Sequence, residues 1–287
     1  MEFPAVHSPV FHTEKGTSYL KAPGVVLIAQ PSVSLKGVRG FLDGFDESLE
    51  FKGYLDDPEL SPAEQLCKFA GQLCYMSLGP KRTMNVNAST YFQNIKSSGH
   101  GSVLEHANWS FLFYGISRSV THELVRHRAG FGFSQVSQRY VSGKVLRFVE
   151  RPEYQDDLVL HTSFENWADA SAEQYDRRVQ RLLELQKHDL KMLSGEARTD
   201  LRKKVQQAAR SCLPNETEAP IVVTANARGW RHFSEMRANT HAEIEIRALA
   251  FNAFRCLRLV SPVIFEDYSE EELPDGTKGV STSYRKV

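Results

Sequence analysis

The sequence predicts a mixed α/β (α+β) protein, a single compact domain over residues 1–287 with a central sheet flanked by helices. Three observations lead there. Short apolar runs such as Gly24–Ala29 and Ile221–Thr224 have the make-up of buried strands. They alternate along the chain with segments of helical period. The composition, 41% hydrophobic and 24% charged, is enough for a real core in a chain of 287 residues.

The elements follow in order. Residues 1–23 carry little periodicity and read as an extended arm. Gly24–Ala29 is a strand closed by Pro31, and a helix-like stretch runs from Leu35 to Phe45. Ser61-Pro62-Ala63-Glu64 is a capping box with proline at the first helical position, so a helix starts there, with Leu66, Phe69, Leu73 and Met76 as its apolar face. After the Gly-Pro-Lys loop near residue 80, Tyr91, Phe92 and Ile95 mark a short helix ended at Gly99. Ala107–Ile116 reads as a strand, Ser119–Arg128 as a helix and Val145–Val149 as another strand. From about Ser163 to Ala209 the pattern is long, charged and helical, with Leu182, Leu183, Leu185, Leu190, Met192 and Leu193 as apolar residues. Gly195 breaks it, so the 160–205 insertion reads as a helical hairpin that packs on the core or on another subunit. Ile221–Thr224 is a strand, and helices follow over Ala227–Ala238 and His241–Leu259. The acidic tail, 263–287, reads as only partly ordered.

Charge and cysteine content narrow the classes. A formal net charge of zero argues against a dedicated nucleic-acid binder, which carries a strong basic excess. The positive charge is local: between Arg118 and Arg147 six basic residues stand against Glu123 alone, which suits a small anionic ligand. Cys67, Cys74, Cys212 and Cys256 form no Cys-x-x-Cys pair, and read as buried thiols of a reducing compartment. The first residues lack a basic and an apolar signal region, and no apolar stretch reaches membrane-spanning length. The expected address is the cytoplasm, with no membrane partner.

Fifteen residues, 126–140, carry most of the chemistry. Arg126, His127 and Arg128 close a predicted helix, a loop with two glycines follows, and a polar run ends at Arg139 and Tyr140. Three guanidiniums so close repel one another unless an anion sits among them. The serines and the close backbone approach allowed by glycine add neutral donors, so the run reads as a phosphate or nucleotide cradle. His122-Glu123-Leu124-Val125-Arg126-His127 imitates a zinc-protease motif, but Arg126 holds the position where the second histidine belongs. His127 falls about 500° around the helix from His122. His122 is therefore a packing or surface residue, and Glu123 is placed to orient an arginine.

Two further blocks flank this run. Ser98 to His106 holds His100, Ser102 and Glu105 in a loop with two glycines, which lines a ligand pocket or forms a structural turn with equal ease. Downstream, Asn226, Arg228 and His232 sit at a helix start, where free backbone N–H groups favour anions. Arg231 and Arg247 read as solvated helix charges, and Glu245 as a carboxylate that holds an arginine.

The run resembles the signature of the flavin-dependent thymidylate synthases, in which Arg-His-Arg is followed after seven or eight residues by serine. Here eight residues separate Arg128 from Ser137, and the likeness continues through Ser134-Gln135-Val136-Ser137-Gln138-Arg139-Tyr140. With the blocks His100–Glu105 and Arg210–Arg247 in the family's order, it covers about half the chain. The chain departs from some relatives at Gln135 and Ser134, where they carry glutamate and asparagine. The extra loop residue leaves Ala129 to Gly132 without an assigned role.

The resemblance implies that fold and reductive methylation of dUMP at C5, with methylenetetrahydrofolate giving the carbon, FAD carrying hydride and NADPH as reductant. It implies flavin- and folate-side roles for His100, Ser102, Glu105, Arg126, His127, Arg128, Ser134, Asn226, Arg228 and His232. Glu123, Gln135, Val136, Ser137, Gln138, Arg139, Arg210 and Arg237 fall on the nucleotide side. Arg237 and Ser137 are the candidate catalytic residues, Arg237 stabilising charge on the uracil ring. Ser137 as a covalent nucleophile is disfavoured, since no general base stands beside it in sequence. Nothing resembles the cysteine nucleophile of the other thymidylate synthase class; Cys212 precedes Leu213-Pro214 without a basic histidine. The family's active sites form where subunits meet, commonly in a homotetramer. Rival readings are a methylase of UMP or a related pyrimidine nucleotide in nucleoside biosynthesis, a non-catalytic flavin- or nucleotide-binding homologue, and a zinc hydrolase.

Overall fold

Trp109, Phe111 and Phe113 alternate with more exposed neighbours along one strand, and Ile221, Val223 and Ala225 do the same along the strand beside it. Period-two burial of this kind buries one face of a sheet against helices. The computed structural model describes residues 2–34, 36–51, 59–79, 87–140, 143–186, 195–285 and 287, the side chains of 195–198 excepted. Its strands are β1 (Ala5–Val6), β2 (Val10–His12), β3 (Ser18–Leu20), β4 (Gly24–Ala29), β5 (Asn108–Tyr114), β6 (Phe131–Gln135), β7 (Phe148–Val149), β8 (Ile221–Asn226), β9 (Ser269–Glu272) and β10 (Lys278–Ser281). The helices are α1 (Val38–Leu42), α2 (Pro62–Cys74), α3 (Ala88–Ser97), α4 (Arg118–Leu124), α5 (Pro152–Gln155), α6 (Leu158–Leu185), α7 (Gly195–Ala209), α8 (Ala227–Arg237), α9 (Ile244–Val260) and α10 (Pro262–Phe265).

The central sheet has the order β1-β4-β5-β8-β6, each pair antiparallel. Its buried face meets α8 and α9, which contribute Trp230, Phe233, Ile246, Leu249, Phe254 and Leu257 to one core with Phe92 and Ile95 of α3. A second sheet, β2-β3-β7, packs Tyr19 and Phe148 against Phe164 and Ala168 of α6. The mixed α/β class holds, in its α+β form.

Several elements differ from expectation, each for a physical reason. The arm contains three strands, because Tyr19 and Leu20 are buried and β3 pairs with β7 more than a hundred residues away. The glycine-containing run after Arg128 is strand β6, since Phe131 and Phe133 pack on the core and pair with β8. The tail is an ordered hairpin, β9–β10, anchored by buried Tyr268, Leu273 and Val280. The strand expected over Val145–Val149 shortens to Phe148–Val149.

α2 starts with the capping box, Ser61 N donating to Glu64 Oε2 at 2.8 Å, but it buries a different face. Ala63, Glu64, Cys67, Gly71 and Gln72 face the core, while Leu73 is exposed. Glu64 can be buried because its other oxygen accepts from Val263 N at 2.7 Å. Phe69 and Met76 instead pack on a small satellite cluster with Leu42, Phe51 and Leu78. Of the thiols, Cys67 and Cys256 are buried, whereas Cys74 is exposed and Cys212 half-buried. The hairpin expected over 160–205 appears as α6 and α7. Leu35, the proline and lysine of the loop near residue 80, and Leu190, Met192 and Leu193 lie outside the described residues.

Three polar expectations are corrected by burial. Arg231 is 1% exposed; it donates to the carbonyls of Val287 (2.9 Å) and Ile264 (2.8 Å) and grips both oxygens of Asp267. Arg247 is buried too, bonded to Asp275, Thr277 and two carbonyls. Among the described residues, Glu245 makes no ion pair or hydrogen bond to an arginine. Its carboxylate accepts from Ser117 N (2.6 Å) and Ser117 Oγ (2.8 Å), tying α9 to the cap of α4. Among the described residues, no helix is long and apolar enough to cross a membrane.

Candidate active site

β8 delivers the chain to α8 at Asn226, whose Oδ1 accepts from Gly229 N at 2.8 Å as an N-cap. Opposite this cap lies Gly130 at φ +77°, where a Cβ would stand 2.7 Å from Asn226 Nδ2. Only glycine fits that turn without strain. The Gly101–Glu105 turn packs on the same helix, and Arg228 Nη1 meets Glu105 Oε1 at 2.6 Å. Glu105, Ala129, Gly130, Asn226, Arg228, Gly229 and His232 line a cleft of about 400 Å³. His100 and Ser102 are exposed on the turn beside it.

Further along α8, Arg237 emerges toward the end of α4. Its Nη1 donates to Glu123 Oε2 at 2.7 Å and its Nε to His127 Nε2 at 3.0 Å. Glu123 therefore orients an arginine, as its sequence setting predicts. His127 is enclosed by the rings of Phe233 (5.2 Å), His232 (5.8 Å) and Phe131 (5.8 Å). Burial, the Arg237 charge and His232 together hold its pKa down to about 4. The ring is therefore neutral at pH 7, and accepting at Nε2 places its proton on Nδ1. A second cleft, about 500 Å³, opens at this end of α8 between Arg237, His241 and the β9–β10 hairpin. Arg126, Arg128 and His122 are exposed nearby in the chain.

The other candidates lie elsewhere. β6 runs antiparallel to β8, with Phe131 opposite Ala225 and Gln135 opposite Ile221. Gln135, Val136, Ser137, Gln138 and Arg139 thus leave the sheet at the end opposite Asn226, about 16 Å away along the strands. There Arg139 and Lys203 of α7 both lie 5.4 Å from the Tyr140 ring. Arg210 lies about 10 Å further along the same helical segment. Gln138 is buried beside a cleft of about 470 Å³ with Lys144 and Arg147. Ser137 Oγ accepts a long bond, 3.4 Å, from Arg139 N, and Ser134 is exposed mid-strand. One chain therefore holds the candidate residues in two separate groups, one at each end of β6.

Phe131, Phe233 and Gly130 carry no chemical signal in the sequence, yet they shape the wall around His127 and the cap. A glycine between Arg128 and a pair of phenylalanines is the signal for a close turn before a strand.

A capped helix thus carries a cleft at each end, with a neutral imidazole held against an arginine between them. The chain belongs to the thymidylate synthase complementing protein family, Thy1, whose model matches residues 59–263. A protein from Mycolicibacterium gilvum named flavin-dependent thymidylate synthase is 44% identical over 76% of this chain and 84% of its own length. One of the same name from Mycobacterium tuberculosis is 44% identical over 79% of this chain and 87% of its own. In fold, the chain is similar to the UMP/dUMP methylase PolB from Streptomyces cacaoi, crystallised with 5-Br dUMP. That likeness has a TM-score of 0.55 at 18% identity, covering 86% of this chain and 94% of the other.

Proposed function

We propose that this chain is a flavin-dependent thymidylate synthase, converting dUMP to dTMP with methylenetetrahydrofolate as carbon donor and NADPH as reductant. The observation that carries it is Arg237, fixed by Glu123 and by neutral His127 between two clefts, in a chain of this family. FAD, when bound, supplies the hydride that turns a folate-borne carbon into a methyl group.

The residues at the cap of α8 fit such a group. Arg228 and the helix N-terminus present positive character to a pyrophosphate. Gly130 lets the backbone approach closely, and His232 stands exposed at the mouth of the same cleft. His100, Ser102, Glu105, Arg126, His127 and Arg128 complete the cofactor and folate side, and Ser134 belongs with them.

Arg237 holds its guanidinium toward the negative charge that develops on the uracil ring. A preoriented charge costs no reorganisation when the reaction occurs. His127 keeps Arg237 aligned through an acceptor nitrogen and adds no second positive charge. Gln135, Val136, Ser137, Gln138, Arg139 and Arg210 hold the nucleotide, with the guanidiniums on its phosphate. Since these residues lie at the opposite end of β6, the working site is completed by a second copy, in a homotetramer with shared sites. Free thiols at Cys67, Cys74, Cys212 and Cys256 suit the cytoplasm.

The test is the absorbance of the purified protein, first alone, then with NADPH without oxygen, then with dUMP and methylenetetrahydrofolate. The expected result is flavin bands that bleach and return as dTMP appears. Bands that bleach and return product only with UMP would move the substrate to the ribonucleotide. A colourless protein that gains no activity with added FAD would overturn the proposal.

A further inference from the structure

The turn that follows Arg237 is held by a set of bonds that none of the roles above uses. α8 ends at Arg237 with Ala238 as its C-cap, and residues 238–243 link it to α9. The last carbonyls of a helix have no partner within it, and such an end frays unless something else satisfies them. Here Val280 of the tail hairpin donates its N–H to the Ala238 carbonyl at 2.8 Å. Arg247 reaches back from α9, and its Nη2 donates to the carbonyls of Ala242 (2.8 Å) and Thr240 (3.2 Å). Its Nη1 is anchored on the Thr277 hydroxyl at 2.7 Å and on the Asp275 carboxylate. Three carbonyls of one short turn are therefore fixed by the hairpin, directly or through one guanidinium.

Arg247 is 5% exposed, and charge is not buried without a purpose that its hydrogen bonds reveal. A planar fork of N–H groups can serve two carbonyls, a hydroxyl and a carboxylate at once, which an ammonium cannot match in geometry. The hairpin also approaches closely: a Cβ at Gly279 would lie 2.8 Å from the Ala238 oxygen. Asp275, Thr277, Gly279 and Val280 all lie beyond residue 263, where the family match ends.

We propose that Arg247, anchored by Asp275 and Thr277, is a positioning residue for Arg237. It fixes the turn after α8 and so sets how the Arg237 guanidinium meets His127 and Glu123. The inference rests on the reading of Arg237 as the uracil-side charge, but its geometric half stands apart from that reading. The hairpin is then part of the active-site scaffold, and forms one wall of the cleft beside Arg237.

Two substitutions at residues that do not line the cleft test it in the full-length holoprotein: Asp275→Asn, which weakens the anchor of Arg247, and Gly279→Ala, which pushes the hairpin off Ala238. Each is assayed for kcat, KM for dUMP, flavin content and the titration midpoint of His127 by NMR, well below its melting temperature. The expected result is a fall of about tenfold or more in kcat with flavin content kept, and a rise in the His127 midpoint as the Arg237 charge withdraws. Arg247→Lys gives the same pattern more strongly, because its single ammonium cannot hold both carbonyls and the hairpin. A lowered melting temperature with unchanged kcat and an unmoved His127 midpoint would mean a merely structural role, and would overturn the proposal. If Arg237→Ala keeps full turnover, the functional reading fails. The His127 midpoint still decides whether the clamp sets the position of Arg237.

Discussion

Arg237 Nε donates to His127 Nε2 at 3.0 Å, a bond that exists only while the imidazole is neutral. The guanidinium cannot accept a hydrogen bond, so protonation of His127 at Nε2 would turn the contact into repulsion. The placement of the candidate catalytic charge and the ionisation of one histidine are thus the same fact.

The pH dependence of stability follows. His127 titrates near 6.5 in an unfolded chain and is held down to about 4 here. Between those values the unfolded chain binds the extra proton first. The stability from this group is present in full above about pH 6.5, and is lost as pH falls toward about 4. NMR should place the His127 midpoint near 4, and His127→Gln should remove this part of the acid slope. A midpoint above about 6 would contradict the bond.

Glu245 behaves in the opposite sense. Burial pushes its carboxyl up to about 7 despite two bonds from Ser117. The folded state therefore holds the proton more tightly than the unfolded chain, whose carboxyl titrates near 4.5. The stability this group gives is complete below about pH 4.5, and is lost as pH rises through about 7. Glu245→Gln keeps an acceptor for Ser117 N without charge. It should melt with wild type at pH 5 and several degrees higher at pH 8.5, a gain of order 1–3 kcal/mol. Equal melting at both values would argue that the carboxylate stays ionised throughout.

His232 is exposed at the cleft mouth and meets His127 only at ring distance. His232→Ala should leave the fold intact and weaken flavin retention through gel filtration. Unchanged flavin content would take His232 out of the cofactor site.

The proposed sharing of one site between subunits predicts complementation. Arg237→Ala and Arg139→Ala damage opposite ends of the sheet and should each lose activity alone. Subunits of the two variants, unfolded and refolded together, should regain roughly a quarter of the wild-type rate through pairs of intact ends. No recovery in verified hybrids would place both ends in one subunit.

Much of this was legible in local sequence. The capping box at Ser61 and the helix start at Asn226 depend on residues within a few positions, whereas the arginine that Glu123 orients, Arg237, lies 114 residues on. What stayed hidden depends on distance along the chain. Arg231 reads as solvated until Asp267 and Val287 close over it, 36 and 56 residues later. Glu245 finds Ser117 across 128 residues. The face that α2 buries is set by where Gly71 meets Tyr91, not by which of its residues are most apolar. The signature's fifteen residues divide between two ends of the sheet because Phe131 and Phe133 pair with β8 as a strand, which glycine-rich sequence disguises.

Everything proposed for the site depends on Arg237 supplying the charge that the uracil ring needs in the reaction. The measurement that tests it most directly is single-turnover dTMP formation by Arg237→Ala, loaded with reduced flavin, dUMP and methylenetetrahydrofolate. The variant should retain flavin and react at least ~10²-fold more slowly than wild type. A wild-type rate with dUMP bound would contradict it.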